Sequence, residues 1–302
     1  MKKLLSVVLL GVALSSALVG WLLSSPRPLY ARDDWRAYEE GGDAERGRLV
    51  FLVGGCPSCH MTPGQPDPLR LGGGYRLKTP FGSFFPPNIS PDERDGIGDW
   101  KVVDLANALL AGVSPEGTHY YPALPYTSYR RMTLSDVRDL MAYLRTLSKV
   151  SGRAPQHRLA FPFSIRRAVG LWKLIYLGPP GLPPDPSRSE TWNRGRYLVE
   201  GPGHCAECHS PRDMFGGIIA SRRFAGGVTP DGKGKAPNLT QAAKGFAEWS
   251  KEDVETALSL GLTPSGDSLG GDMAAEVRNL KQLPEADLQA MAEYIKSLPP
   301  IP

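Results

Sequence analysis

The chain opens on its longest apolar run, which extends from Leu4 to Leu23 directly after the cations Lys2 and Lys3. A helix of 20 residues is about 30 Å long, enough to cross the hydrocarbon core of a bilayer. The alternative is a cleaved signal peptide, whose apolar part is usually shorter, roughly 7–15 residues. Residues 1–25 are therefore predicted to be a membrane anchor or a signal peptide. Either one exports the rest of the chain and leaves the cations on the cytoplasmic side.

Beyond this run, the apolar and polar positions follow the same order twice. The matching segments are ERGRLVFLVGGCPSCH with NRGRYLVEGPGHCAECH, PPNIS with APNLT, GVSPEG with GLTPSG, and LMAYLRTL with MAEYIKSL. Each copy predicts a first helix, a cysteine motif, a long loop, a short helix, another loop and a final helix. The repeat predicts an all-α fold of two similar units, in each of which the first and last helices cross near Tyr143 or Tyr294.

The repeat also predicts where the domains begin and end. We expect a first domain over residues 33–150, a Pro-rich linker over 151–186 and a second domain over 187–302. The linker contains the apolar segment LWKLIYL (171–177), which is too short to cross a membrane. We expect this segment to be a short helix buried between the two domains.

Charge and cysteine content narrow the function classes. The formal net charge is +4 and the cations form no run, so nucleic acid is not an expected partner. Four cysteines in an exported protein would ordinarily form two disulfides. Here they occur only within CPSCH (56–60) and CAECH (205–209), and both segments have the C-x-x-C-H spacing of haem c attachment.

The chemistry of haem c requires this spacing. Two thiols separated by two residues reach the two vinyl groups of one porphyrin, and the next residue, His, lies under the iron. A zinc site or a redox C-x-x-C is the rival interpretation of one motif, but two motifs that use every cysteine favour haem. The sequence predicts two covalently attached haem c groups and no disulfide, with cofactor contacts at Cys56, Cys59, His60, Cys205, Cys208 and His209.

The repeat indicates one ligand for the far side of the iron. Met273 follows His209 at the same separation at which Leu124 follows His60. The thioether of Met273 is therefore the expected second ligand of the second haem, whereas Leu124 cannot bind iron. Three alternatives remain for the first haem: Met132, His119, or an iron with an open position. Met132 lies on a segment that is two residues shorter in the first copy, and its other expected role is packing at a helix start.

Two matched loop residues in each copy suggest a further role. Asn88 with Trp100, and Asn238 with Trp249, occupy equivalent positions. They are expected either to hold haem propionates by hydrogen bonds or to pack the loops against each other.

Several segments of the sequence resemble a known protein family. The segments FPFSIRRAVGLWKLIYLGPPGLPPDP, WNRGRYLVEGPGHCAECHSPRDMFGG and TPFGSFFPPNISPD, with GIGDW and YPALPY, are similar to multihaem cytochrome c subunits of membrane-bound bacterial alcohol, aldehyde and gluconate dehydrogenases. The resemblance extends from about residue 40 onward and implies tandem class I cytochrome c domains. Better-known members carry three haem motifs and Met at the position of Leu124. This sequence looks more like a two-haem branch, in which that position is apolar or aromatic and the Met of the following YxxM segment is retained.

The resemblance therefore implies that the iron ligands are His60 and Met132 in the first domain and His209 and Met273 in the second. It implies an electron carrier rather than an enzyme, at the periplasmic face of a bacterial inner membrane, or soluble in the periplasm if the N-terminal segment is cleaved. A dehydrogenase would donate electrons, and a quinone pathway, a small cytochrome c or a terminal oxidase would accept them. The rival hypothesis is a dihaem enzyme, a peroxidase or a thiosulfate-oxidising cytochrome, with an open or unusually ligated first iron.

Overall fold

The computed structural model describes residues 2–229, 232 and 234–302, and its fold is mostly helical. The helices are α1 (Lys2–Leu23), α2 (Arg36–Glu39), α3 (Ala44–Val53), α4 (Cys56–His60), α5 (Val102–Ala111), α6 (Tyr126–Tyr129), α7 (Leu134–Leu144), α8 (Ala168–Tyr176), α9 (Glu190–Glu200), α10 (Ala206–His209), α11 (Lys251–Ser259), α12 (Gly271–Leu280) and α13 (Glu285–Lys296). The short strands are β1 (Leu77–Thr79), β2 (Gly82–Phe84), β3 (Arg158–Leu159), β4 (Gly227–Val228) and β5 (Lys235–Ala236).

Local sequence sets the starts of the main helices. A side-chain oxygen just before each of α3, α7, α9 and α11 accepts a hydrogen bond from the backbone N–H three residues later. Such a bond satisfies a donor that the first turn of a helix leaves unpaired. The four capping residues are Asp43, Thr133, Ser189 and Ser250.

The first and last helices of each copy cross at a glycine. A Cβ on Gly47 of α3 would lie 1.9 Å from the carbonyl oxygen of Asp139 in α7, and one on Gly195 of α9 would lie 1.8 Å from that of Ala290 in α13. Only glycine allows such close backbone contact. The tyrosine prediction is confirmed, since Tyr143 packs against Phe51 of α3 (ring centroids 5.1 Å apart). In the second copy, the Tyr294 hydroxyl donates to Glu200 of α9 over 2.6 Å.

Matching loops in the two copies make the same backbone bonds. The backbone N–H of Tyr120 donates to Gly112, and that of Leu269 donates to Gly261, each over 2.7 Å. After this point the copies differ, because α6 has four residues and α12 has ten. The first copy is two residues shorter in this segment, and the difference lies where α12 is longer than its counterpart α6.

Two features depart from the sequence-based expectation. Short strands are present: β1, β2 and β3 form an antiparallel sheet, and β4 pairs with β5. The segment around 171–177 is helical as predicted, but the expectation that it is buried between the two domains is wrong for one of its faces. In α8, Val169, Gly170 and Lys173 are buried, whereas Leu171, Leu174 and Ile175 on the other face are exposed.

The N-terminal helix α1 projects from the body with no buried residue. Within the described part of the chain, it is the one helix long and apolar enough to cross a bilayer, with a mean hydropathy of 2.2. Signal sequences share these properties. The chain therefore carries an N-terminal apolar helix suited to a membrane, as the sequence predicts.

Candidate haem sites

The two motif histidines have equivalent surroundings. Nδ1 of His60 lies 2.8 Å from the carbonyl oxygen of Pro87, and Nδ1 of His209 lies 2.8 Å from that of Pro237. A carbonyl can only accept a hydrogen bond, so Nδ1 carries the proton and Nε2 keeps its lone pair. Burial lowers the pKa of both imidazoles, which favours the neutral ring that binds iron. Both histidines therefore have the tautomer and charge that a proximal haem ligand needs.

The motif thiols are protonated at neutral pH. The pKa is raised to about 12 for Cys56 and Cys205 and to about 11 for Cys208, and burial is the largest cause. All four cysteines are unpaired in the structure. Each pair of thiols lies beside a histidine whose Nδ1 is held by a backbone carbonyl, and this is the arrangement that haem c attachment requires. The donor set fits covalent haem better than either rival.

The matched asparagines bind the backbone of the loops. The Asn88 side chain donates to the carbonyl of Val150 over 2.6 Å, and that of Asn238 donates to the carbonyl of Ile301 over 2.7 Å. Each side-chain oxygen accepts a backbone N–H two residues later. Of the two roles expected for these residues, the geometry supports loop packing. They fix the loop that also supplies the proline carbonyl to each motif histidine.

The candidate distal ligands occupy different kinds of position. Met132 is 4% exposed and belongs to the hydrophobic core, and Leu124 and Met273 lie at the edge of that core. The backbone N–H of Met132 donates to Tyr129 over 2.8 Å, in the same turn that Leu283 makes in the second copy. Met132 is thus a buried soft donor at the start of α7, in a place where the second copy has a leucine.

His119 is engaged elsewhere. Its Nε2 lies 2.8 Å from the carbonyl oxygen of Ser24, just after α1, and its side chain is buried. Arg166 donates to the His119 carbonyl over 2.8 Å. The ring is therefore tied to the junction between α1 and the first copy, and the geometry gives no support to His119 as an iron ligand.

Each haem motif also contacts the opposite copy. Asn279 of α12 donates to Ser58 of the first motif over 3.0 Å. Ser128 of α6 donates to Glu207 of the second motif over 2.7 Å, and Thr127 donates to the same carboxylate oxygen. The contacts are reciprocal, because Ser58 and Glu207 hold the same position in their motifs.

One carboxylate lies near both motifs. Burial is the largest cause of the raised pKa of each of the four cysteine thiols, and the negative charge of Glu276 in α12 raises each pKa further. A Cβ on Gly55, just before the first motif, would lie 2.6 Å from a Glu276 carboxylate oxygen. Sequence reasoning missed Glu276, Glu207 and Asn279.

Comparison with known proteins gives a consistent result. The cytochrome c family model matches residues 44–148. A diheme cytochrome c-type protein of Cereibacter sphaeroides is 49% identical over 262 residues, which cover 86% of this chain and 87% of that protein.

Two dehydrogenase subunits are more distant relatives. The fructose dehydrogenase cytochrome subunit of Gluconobacter japonicus is 37% identical over 84% of this chain and 52% of its own length. The cytochrome c subunit of a quinone alcohol dehydrogenase of Gluconobacter oxydans is 32% identical over 94% of this chain and 61% of its own length. This chain thus spans only part of these two relatives. From the motif geometry and the similarity over most of its length, the chain belongs to the cytochrome c family, among the dihaem c-type cytochromes.

Proposed function

We propose that the chain is a membrane-anchored dihaem electron carrier. It takes electrons from a dehydrogenase at the periplasmic face of the bacterial inner membrane and passes them to the respiratory chain, through a quinone pathway, a small cytochrome c or a terminal oxidase. Bound haem c supplies one-electron chemistry between ferrous and ferric iron. Residues 33–150 and 187–302 form the two haem domains, joined by the linker 151–186.

The reciprocal contact of the motifs is the observation that carries the proposal. The bonds from Asn279 to Ser58 and from Ser128 to Glu207 bring the two motifs to one interface. Nε2 of His204, just before the second motif, lies 3.2 Å from the carbonyl oxygen of Gly54, just before the first motif, so the two motifs are close together. This arrangement suits transfer of an electron from one cofactor to the other within a single chain.

In the proposed ligand sets, Cys56 and Cys59 would hold the first haem, and His60 and Met132 would bind its iron. Burial of Met132 and the engagement of His119 by Ser24 support this choice. Cys205 and Cys208 hold the second haem with His209 and Met273. The matching loop bonds before Leu124 and Met273 support the register from which Met273 is assigned. A fixed pair of ligands on each iron suits a carrier, because it blocks reaction with oxygen or peroxide.

The names of the relatives support a dehydrogenase as the donor. The two more distant relatives are named as cytochrome subunits of fructose and alcohol dehydrogenases. Contacts between the end of α1 and the body support an uncleaved anchor: Arg167 donates to the carbonyl of Trp21 over 2.7 Å and to the hydroxyl of Ser25 over 2.8 Å. A chain cut near residue 25 would lose these bonds.

Haem load, redox capacity and turnover test the proposal together. Purified protein should carry the mass of two haems, accept two electrons per chain in a reductive titration, and reduce an added soluble cytochrome c. Hydrogen peroxide and thiosulfate should not be consumed at a catalytic rate. Sustained turnover of either compound would favour the dihaem enzyme instead. Crosslinking in solubilised membranes should recover a dehydrogenase bound to the chain.

A further inference from the structure

The helix α8 buries its charged side chain and exposes apolar side chains to water. Its one charged side chain, Lys173, is buried and donates to the carbonyls of Ala111 and Gly112 over 2.7 and 2.6 Å, at the end of α5. Its opposite face carries Leu171, Leu174 and Ile175, of which Ile175 is 75% exposed. A helix on the surface of a soluble protein places its polar side chains towards water. This arrangement is reversed in α8, so its outer face is suited to an apolar environment.

The segment before α8 extends this surface. Phe161 is 81% exposed, and Phe163 and Ile165 are exposed as well. We call the exposed set the apolar face: Phe161, Phe163, Ile165, Leu171, Leu174 and Ile175. Contiguous exposed apolar groups of this kind mark an interaction site rather than ordinary surface.

A neighbouring turn joins the two parts of the apolar face. The Phe163 ring contacts Phe81 (centroids 4.8 Å apart), and a Cβ on Gly216 would lie 3.0 Å from the Phe81 ring. In the same turn, the carbonyl of Phe215 accepts a hydrogen bond from the Trp172 indole of α8 over 3.0 Å. The surface is therefore continuous across the loop and the helix.

The anchor helix ends beside α8, against the side that carries Gly170 rather than against the apolar face. A Cβ on Gly170 of α8 would lie 2.3 Å from the carbonyl oxygen of Ser24, so the two chain segments are in direct contact. The Arg167 guanidinium stacks 3.9 Å above the Trp21 ring, and Trp21 lies in the last turn of α1. Tryptophan and arginine near the end of a membrane-spanning helix are typical of the interface between lipid and water. The helix that carries part of the apolar face thus lies beside the point where α1 would leave the bilayer.

We propose that the apolar face rests in the outer surface of the same bilayer that α1 crosses, as a second, peripheral membrane contact. This inference rests on the proposed anchor. A covalently attached span keeps the face beside lipid at all times, and the exposed phenylalanine, leucine and isoleucine side chains suit the boundary between headgroups and acyl chains. The lysine that would oppose insertion points into the protein. Two contacts, α1 and the apolar face, hold the haem domains in one orientation on the membrane.

Photolabelling of the full-length, haem-loaded protein tests this inference. The protein is reconstituted into vesicles of phosphatidylcholine and phosphatidylglycerol that carry a photoactivatable group on an acyl chain, and adducts are mapped by mass spectrometry. Adducts are expected both in α1 and within residues 161–175. Combined substitution of Leu171→Ser, Leu174→Ser and Ile175→Ser should reduce the adducts in residues 161–175 by about tenfold, because it removes the apolar groups that enter the lipid. Labelling of α1 and both haem spectra should stay unchanged.

The control variant is Leu260→Ser, at an exposed leucine just after α11 that is 68% exposed. It should leave all adducts as in wild type. Labelling of α1 without labelling of residues 161–175 would overturn the peripheral contact and leave the anchor intact. A mature chain that lacks α1 would overturn the anchor, and the inference would fall with it. Absence of acyl-chain adducts, together with protection of the apolar face by a bound dehydrogenase, would assign the surface to a protein partner instead.

Discussion

The side-chain amide of Asn279 donates a hydrogen bond of 3.0 Å to the hydroxyl of Ser58, 221 residues earlier in the chain. Ser58 lies between the two cysteines of the first motif, and Asn279 lies near the end of α12 in the second copy. The bond from Ser128 to Glu207 is its counterpart. Thus α12 of the second copy contacts the first motif, and α6 of the first copy contacts the second motif. The stability of each motif should therefore depend on the other copy.

A first prediction concerns Glu207 and its donors. Replacing both donors, Thr127→Val and Ser128→Ala, should lower the free energy of unfolding at pH 7 by about 2 kcal/mol, because a mostly buried carboxylate loses two hydrogen bonds. The control Thr146→Val, whose hydroxyl bonds within its own exposed turn, should change it by less than about 0.5 kcal/mol. Urea unfolding followed at the haem absorption band measures both.

The hydrogen bonds from Thr127 and Ser128 to Glu207 also predict that the stability difference depends on pH. Burial alone would raise the pKa of Glu207, but Arg212 and the hydroxyls of Thr127 and Ser128 outweigh burial and hold it below the ordinary value. A group whose pKa is lower in the folded state stabilises the fold above its unfolded pKa and loses this effect as pH falls through its folded pKa. The stability difference between wild type and the double variant should therefore shrink in acid. A difference that stays constant down to about pH 3 would contradict the role of the carboxylate charge.

A second prediction concerns the helix crossings. Gly47→Ala and Gly195→Ala should each destabilise the protein by about 3 kcal/mol, because the added Cβ would overlap the backbone of α7 or α13. Gly178→Ala is the control, because a Cβ there meets nothing within 4 Å. Thermal unfolding compares the three variants. Equal stability of all three would show that the helices do not cross at these glycines.

A third prediction concerns the carboxylate near both motifs. Glu276→Gln should raise the reduction potential of at least one haem, because a negative charge nearby stabilises ferric iron. A unit charge at roughly 10 Å, with an effective dielectric constant of about 20, is worth about 1–2 kcal/mol. For one electron this corresponds to tens of millivolts. Spectroelectrochemical titration measures the shift, and Glu248→Gln, at an exposed carboxylate, should leave both potentials in place.

A fourth prediction separates ligands from core methionines. Met273→Leu should remove the thioether-to-iron absorption band of the second haem and lower its potential, and Met132→Leu should make the first haem high-spin. The matched controls are Met291→Leu and Met141→Leu, which change fully buried methionines in the last helix of each copy. These controls should leave both spectra unchanged, and so should His119→Ala. Loss of the band in Met141→Leu would contradict the proposed ligand set.

The sequence predicted those features that depend on local spacing or on the repeat. Helix order, the crossing near Tyr143 and Tyr294, and the equivalent surroundings of His60 and His209 all follow from patterns visible in one chain. Contacts such as Asn279 with Ser58 depend on how the two copies pack, which residue spacing does not encode. The exposed face of α8 was missed because an apolar segment suggests burial. The contact of Gly170 in α8 with Ser24 depends on the folded path of the linker.

Carbon monoxide binding by the reduced wild-type protein tests the central claim most directly. Carbon monoxide occupies only an iron with an open or easily displaced position. If His60 with Met132 and His209 with Met273 complete both sets of ligands, the reduced spectrum should not change on addition of carbon monoxide, and both oxidised haems should be low-spin. Met132→Leu should then bind one equivalent per chain. Binding of one equivalent by the wild type would show that the first iron is open and would contradict the assignment of the protein as a simple electron carrier.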